Sequence, residues 1–186
     1  QAIVACAQAG VGVVGICGGY QMLGRSLADP YGVDGCPPGT QMSGLALLPV
    51  DTTFYPQKRT YQARARVVAR RGFWGQAAGL EATGYEIHMG DTRSGEPAFE
   101  IVQRGPDQVR VADGAVDSTG RIFGTYLHGL FDTPAFRRAW LRSLGWQGEG
   151  RAFALRQIRE AEYDRLAAVL RESLDVQRLY GLLGRA

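Results

Sequence analysis

The stretch Gly12-Val13-Val14-Gly15-Ile16-Cys17-Gly18-Gly19-Tyr20-Gln21-Met22-Leu23-Gly24 decides how this chain reads. The Val-rich run from Val11 to Ile16 predicts a buried strand, residues 18–27 predict a helix, and Cys17 falls on the turn between them. A side chain on such a turn stands exposed at a sheet edge, the geometry of a nucleophile elbow. The helix N-terminus would bring unpaired N–H groups and partial positive charge to the sulfur, favouring the thiolate that attacks carbonyls. Gly18 and Gly19 leave room for a substrate carbonyl, whose oxygen the Gly18 N–H could receive. An inert cysteine would pack as a small hydrophobe. The glycine pair, the elbow position and Gln21 one helical turn on favour a reactive one.

The 186 residues are 45% apolar and 21% charged, enough for one core or one domain plus an appendage. Against 18 acidic residues stand 21 basic ones, nearly all arginine, for a net charge of +3. No stretch clusters basic residues among aromatics, so no nucleic-acid partner is expected. Arg64, Arg66, Arg70 and Arg71 read as a solvated strand face. Cys6, Cys17 and Cys36 are odd in number and widely spaced, which argues against a disulfide framework. With only His88 and His128 beside them, no metal site is expected. No segment offers the roughly 18 apolar residues of a membrane span. The small-residue start has no basic region and is broken by Gln8, Gly10 and Gly12, so it does not read as an export signal, and a cytoplasmic location is expected. Because Gln1 opens the chain in mid-helix and the first readable strand already carries the nucleophile, a C-terminal fragment of a longer protein is expected, without the N-terminal part of its fold.

Outward from the elbow, residues 2–9 read as a helix stopped by Gly10. Residues 29–43, rich in Gly and Pro, read as an irregular excursion. Strands are expected at 45–50, at 60–68 with Tyr61, Ala63, Ala65 and Val67 on one face, and at 84–89, 99–103 and 109–112 in antiparallel succession. Another strand, 121–127, ends at His128. Thr133 with Pro134 begins a helix expected to bury Phe136, Trp140, Leu141 and Leu144. A last helix is expected from Phe153 towards Tyr180, with Leu155, Ile158, Leu166, Val169, Leu170 and Leu174 as one stripe.

A cysteine nucleophile needs a base and an oxyanion hole. His128 follows a strand, in a loop between Gly124 and the next helix. Strand ends in an open α/β sheet share one edge, where ligands bind, so His128 is the expected partner of Cys17. His88 lies inside a strand and is expected to brace the sheet or line a pocket rim. Tyr20 and Tyr126 are expected as core or pocket wall.

The segment Gly15-Ile16-Cys17-Gly18-Gly19-Tyr20-Gln21 fits the G-x-C-x-G-x-Q elbow of class I glutamine amidotransferases. Joined to Met22-Leu23-Gly24, to Gly84-Tyr85-Glu86-Ile87-His88-Met89-Gly90, to Gly124-Thr125-Tyr126-Leu127-His128-Gly129-Leu130-Phe131-Asp132 and to Glu162-Tyr163-Asp164-Arg165-Leu166, it resembles the C-terminal amidotransferase domain of the cobyric acid synthase family over nearly the whole chain. The resemblance implies an α/β, flavodoxin-like domain with a mostly parallel central sheet flanked by helices and an added antiparallel strand region. Residues 1–186 would be the glutaminase domain, with 151–186 a C-terminal helical extension. It implies Cys17 as nucleophile through a thioester, His128 as base, and Gly18, Gly19, Gln21 and Glu86 around bound L-glutamine. No cofactor is implied in this domain. ATP and Mg belong to an N-terminal synthetase domain of the same enzyme, which amidates a corrinoid acceptor, adenosylcobyrinic acid a,c-diamide, in cobalamin biosynthesis. No G-x-x-x-x-G-K-[ST] loop occurs in this chain.

Two departures from the class I pattern stand out. Such domains read H-P-E after the last strand, whereas His128-Gly129-Leu130 has leucine there, a trait the cobyric acid synthase group shares. The third triad member is therefore unassigned, with Glu86 and Asp132 as candidates. The second oxyanion donor comes in related domains from a loop before the elbow, which this chain does not contain. Three other readings stay open: the glutaminase of another cobyrinate-type ligase, a non-catalytic binding module of the same fold, and a flavodoxin-like cysteine hydrolase, against which the elbow spacing speaks.

Overall fold

Ala2–Gln8 form α1, and the apolar run that follows becomes β1, Val13–Ile16. A computed structural model describes residues 1–148 and 155–184. After the elbow come α2 (Gly18–Leu23), β2 (Ser26–Asp29), β3 (Thr40–Ser43), the long β4 (Asp51–Val67), α3 (Trp74–Ala77) and β5 (Glu81–Arg93). Then follow β6 (Phe99–Arg104), β7 (Asp107–Asp113), β8 (Ala115–Val116), β9 (Ile122–Thr125), β10 (Leu127–His128), a 3₁₀ turn at Leu130–Asp132 and α4 (Pro134–Ser143). By its internal packing the chain divides into two units, Gln1–Glu149 and Gly150–Ala186. The second unit contains α5 (Leu155–Ser173) and α6 (Val176–Leu182).

The strands make two sheets, in keeping with the mixed α/β class. The first has the order β1-β9-β8, with β1 and β9 parallel. The second runs β10-β5-β4-β2-β3, with β6 and β7 added beside β4. Its pairings are antiparallel except that of β2 with β4. The antiparallel region thus holds most of the strand residues among those described, and the parallel pair β1/β9 carries the elbow.

Several elements differ from the expectations. The helix after Cys17 stops at Leu23, because Gly24 is extended and the chain turns into β2. Residues 45–50 form no strand. The N–H groups of Leu45, Ala46, Leu47 and Leu48 bond instead to the carbonyls of Met22, Gly24, Leu23 and Leu23, satisfying the end of α2. Residues 29–43 are not wholly irregular, since Thr40–Ser43 pairs with Ser26–Asp29 as a hairpin. Thr133 stands at the N-cap of α4, but its hydroxyl accepts the Thr83 N–H at 3.1 Å rather than capping the helix. Leu141 and Leu144 are exposed, at 36% and 56%, whereas Phe136 and Trp140 are buried. Tyr61 is exposed, while Ala63, Ala65 and Val67 face inward as expected. The last helix is interrupted at Leu174–Asp175, where Asp175 accepts the Arg178 N–H and starts α6. Its expected start, Phe153, lies outside the described residues.

Two apolar clusters hold the first unit. One gathers Trp74, Phe99, Phe123, Phe136 and Trp140, with Trp74 edge-on to Phe123 at 4.8 Å and to Phe99 at 5.6 Å. The other, beneath the elbow, joins Tyr20, Leu23, Leu48, Val50, Ile122 and Tyr126. Such aromatic edge contacts add roughly 0.5–1.5 kcal/mol each beyond the area buried.

Candidate active site

Cys17 has φ 53° and ψ −115°, a backbone region that side chains rarely occupy. Strain of this kind costs on the order of 1–3 kcal/mol and persists only when the surroundings enforce it. Here the Cys17 N–H donates to the Thr125 carbonyl at 2.9 Å, and the Cys17 carbonyl accepts the Gln21 N–H at 3.1 Å. Gly15 makes the turn possible, since a Cβ there would lie 2.7 Å from Leu23 and 2.8 Å from the Gly19 backbone. Beside Gly18 and Gly19 nothing lies within 4 Å of a Cβ position, so the space above the elbow is open.

The thiol does not follow the expectation of a lowered pKa. Burial pushes it up, outweighing the Gly18 N–H that favours the anion. A six-residue helix adds little field. Cys17 therefore rests as a thiol and donates through Sγ to the Ile87 carbonyl at 3.4 Å.

His128 lies on β10 directly opposite Tyr85 of β5. Its ring stacks on the Tyr85 ring, 4.8 Å between centroids and 7° between planes. Burial, aided by the neighbouring His88, holds its pKa below the usual imidazole range. His128 is thus a neutral base near pH 7, and its buried Nε2 has no hydrogen-bond partner. Alternate residues of a strand share a face. Cys17 reaches β5 at Ile87 and His128 reaches it at Tyr85, two residues or roughly 7 Å along the strand. Both expected catalytic residues thus touch one stretch of β5, whose Tyr85 and Ile87 side chains lie on its more open face.

The opposite face of β5 is buried and charged. Glu86 is 1% exposed and held in a two-pronged pair by Arg104, at 2.7 and 2.8 Å. Burial alone would raise its pKa, but the neighbouring His88 and Arg104 hold it low. The His88 Nε2 is 3.7 Å from Glu86, too long for a hydrogen bond, while its Nδ1–H donates to the Gly90 carbonyl at 2.7 Å. His88 also lies flat on Tyr126, 3.7 Å between centroids. It braces the sheet and lines a cavity of about 530 Å³, together with Tyr20, Glu86, Arg104, Asp113 and Tyr126. Neither Cys17 nor His128 lines that cavity.

Gln21, expected beside the substrate, is 7% exposed, and its Nε2–H donates to the Tyr126 hydroxyl at 3.2 Å. Tyr126 in turn bonds Thr92, and Thr92 bonds Thr52. Gln21 thereby ties the elbow helix to β5 and β4. Asp132 sits in the 3₁₀ turn after His128. The residue that sequence reasoning missed is Asp113, buried between the Thr125 hydroxyl and the Tyr126 N–H. Its signal was an aspartate set among apolar neighbours in Val111-Ala112-Asp113-Gly114-Ala115-Val116. Among the described residues no helix is long and apolar enough to cross a membrane.

Residues 1–136 match the family model of the CobB/CobQ-like glutamine amidotransferase domain. The chain is similar to the cobyric acid synthase of Desulforamulus reducens, 39% identical over 99% of this chain and 37% of that protein. It is also similar to the cobyric acid synthase of Dehalococcoides mccartyi, 38% identical over 98% of this chain and 36% of that protein. With the cobyric acid synthase of Roseiflexus castenholzii it shares 50% identity over 72% of this chain and 26% of that protein. The chain therefore spans little more than a third of the length of the first two of these relatives.

Proposed function

This chain belongs to the family of CobB/CobQ-like glutamine amidotransferase domains, and from that premise we propose that it is the glutamine-hydrolysing part of a cobyric acid synthase. One observation carries the reading: a cysteine on a strained strand-to-helix turn and an imidazole whose buried Nε2 has no hydrogen-bond partner touch the same strand, β5.

In the reaction, His128 takes the Cys17 proton as the sulfur attacks the carboxamide carbon of L-glutamine. The Gly18 N–H receives the oxyanion, a contribution of about 3 kcal/mol for one such donor. The carbon–nitrogen bond breaks, and the nitrogen leaves as ammonia with the proton from His128. A γ-glutamyl thioester stays on Cys17. Water then loses a proton to His128, attacks the thioester and releases glutamate, and the thiol is restored. A neutral imidazole and a protonated thiol are the forms this sequence starts from.

Ammonia would pass to an N-terminal synthetase domain that uses ATP and Mg to amidate adenosylcobyrinic acid a,c-diamide. Support comes from the name that the relatives share and from their greater length. Three free cysteines agree with a reducing cytoplasm. Incubating the intact protein with glutamine and measuring glutamate tests the core of the reading. Cys17→Ala should abolish release, and undiminished release would overturn the assignment.

A further inference from the structure

The chain crosses between the two sheets twice near the site. It leaves β7 for β8 at Asp113–Gly114, and β9 for β10 at Tyr126. The Asp113 carboxylate bonds the first crossing to the second: one oxygen accepts the Thr125 hydroxyl, the other the Tyr126 N–H at 3.1 Å. The Thr125 hydroxyl oxygen also accepts the Leu127 N–H at 3.0 Å, closing the turn. Gly114, at φ +74°, packs so close that a Cβ would collide with the Gly124 carbonyl oxygen. Asp113 is 6% exposed and Thr125 wholly buried, so a carboxylate here is tolerable only because both oxygens are bonded.

Both reactive groups hang on the second crossing. The Thr125 carbonyl accepts the Cys17 N–H, so the nucleophile is referenced to the first sheet. His128 stands on β10 and is referenced to the second. The angle of the Thr125–Leu127 turn therefore sets the separation between sulfur and imidazole.

We propose that Asp113 is a positioning residue for glutamine hydrolysis, clamping the β9–β10 turn so that Cys17 and His128 stay at working separation. The inference rests on the reading of those two residues as nucleophile and base. Asp113 touches neither substrate nor reacting atoms, and misplacement by about 1 Å is enough to cost on the order of a hundredfold in rate. The groups facing it are Thr125, Tyr126, Glu86, His88 and Arg104, with Tyr20 nearby.

The test is steady-state glutamate release from the intact protein, with Cys17 alkylation counted by mass spectrometry to give reactive sites per chain. Asp113→Ala should lower kcat per reactive Cys17 by about thirtyfold or more, with KM for glutamine within about threefold. Asp113→Asn keeps an oxygen for the Tyr126 N–H and should restore kcat to within about fivefold of the wild type. Unchanged kcat, or a loss merely proportional to the count of reactive Cys17, overturns the proposal. Should Asp113→Ala fail to fold, Thr125→Val removes the hydroxyl link alone. A loss in kcat of about threefold or more at unchanged KM supports the clamp, and wild-type kcat overturns it. Wild-type glutamate release that survives Cys17→Ala would defeat the nucleophile reading instead, a result that does not involve Asp113.

Discussion

The imidazole of His128 lies parallel to the ring of Tyr85, which stands directly opposite it on the neighbouring strand. No other aromatic ring stacks on His128 among the described residues, so Tyr85 sets the plane of the base. Tyr85→Ala should lower kcat for glutamine hydrolysis by about tenfold, equivalent to about 1.4 kcal/mol, while Tyr85→Phe stays within about twofold. Equal rates for the alanine variant and the wild type would remove the stack from the mechanism.

Burial raises the thiol of Cys17 and lowers the imidazole of His128, which makes a neutral pair the resting form. Alkylation of Cys17 by iodoacetamide should therefore still be climbing at about pH 9, beyond the ordinary thiol range. A plateau reached below about pH 8 would mean a preformed thiolate–imidazolium pair.

The elbow backbone at Cys17 suits glycine better than any other residue. Cys17→Gly should unfold later than Cys17→Ala, by about 1 kcal/mol in denaturant titration, although both are inactive. A more stable alanine variant would show that the turn is not strained.

Arg104→Ala would leave Glu86 buried without its main partner, at a cost of about 3 kcal/mol at neutral pH. Glu86 is held below the usual carboxylate range, so its pairing stabilises above the unfolded pKa and fades as pH falls through the folded one. In the variant only His88 remains to hold the pKa down, so protonation relieves the buried charge at a higher pH than in the wild type. The stability gap to the wild type should accordingly narrow from pH 7 to about pH 5. A constant gap would mean that Arg104 acts through packing alone.

Asp113 behaves in the opposite sense. Burial pushes its carboxyl up to about 6, whereas an unfolded aspartate titrates near 3.9. Between these values the native form keeps a proton that the unfolded chain has lost, so stability falls as pH rises. Asp113→Asn should flatten that decline, which is worth up to about 3 kcal/mol. Parallel curves for the two proteins would contradict the burial of this charge.

The elbow was legible in the sequence because its signals are local: a Val-rich strand, a cysteine and two glycines leave few alternatives. The antiparallel strands were legible from alternation, as at Ala63, Ala65 and Val67. Residues 45–50 misled because their apolar side chains do fill the core at Leu48 and Val50, while their N–H groups serve the end of α2. Periodicity reports which side chains are buried, not where the backbone bonds go. Gln21 shows the same limit. Its place in the motif was plain, but its bond to Tyr126 spans 105 residues of sequence. The sign of the Cys17 shift depends on how much of the sulfur is covered, which no local pattern encodes.

Arg104 reaches Glu86 across the middle strand β4, resting over Tyr61 at 5.0 Å as it does so. Three strands are thereby keyed to one another by a single pair of opposite charges. A slip of β5 by one residue would turn Glu86 and His88 outward and drive Tyr85 and Ile87 into the core. Such a slip would tear the paired charges apart and displace both contacts on which the nucleophile and base depend. A buried ion pair adds little to stability when compared with a well-packed apolar pair. Here it acts as an alignment mark, rejecting every misthreaded sheet in which the reactive cysteine and its histidine would face different strands.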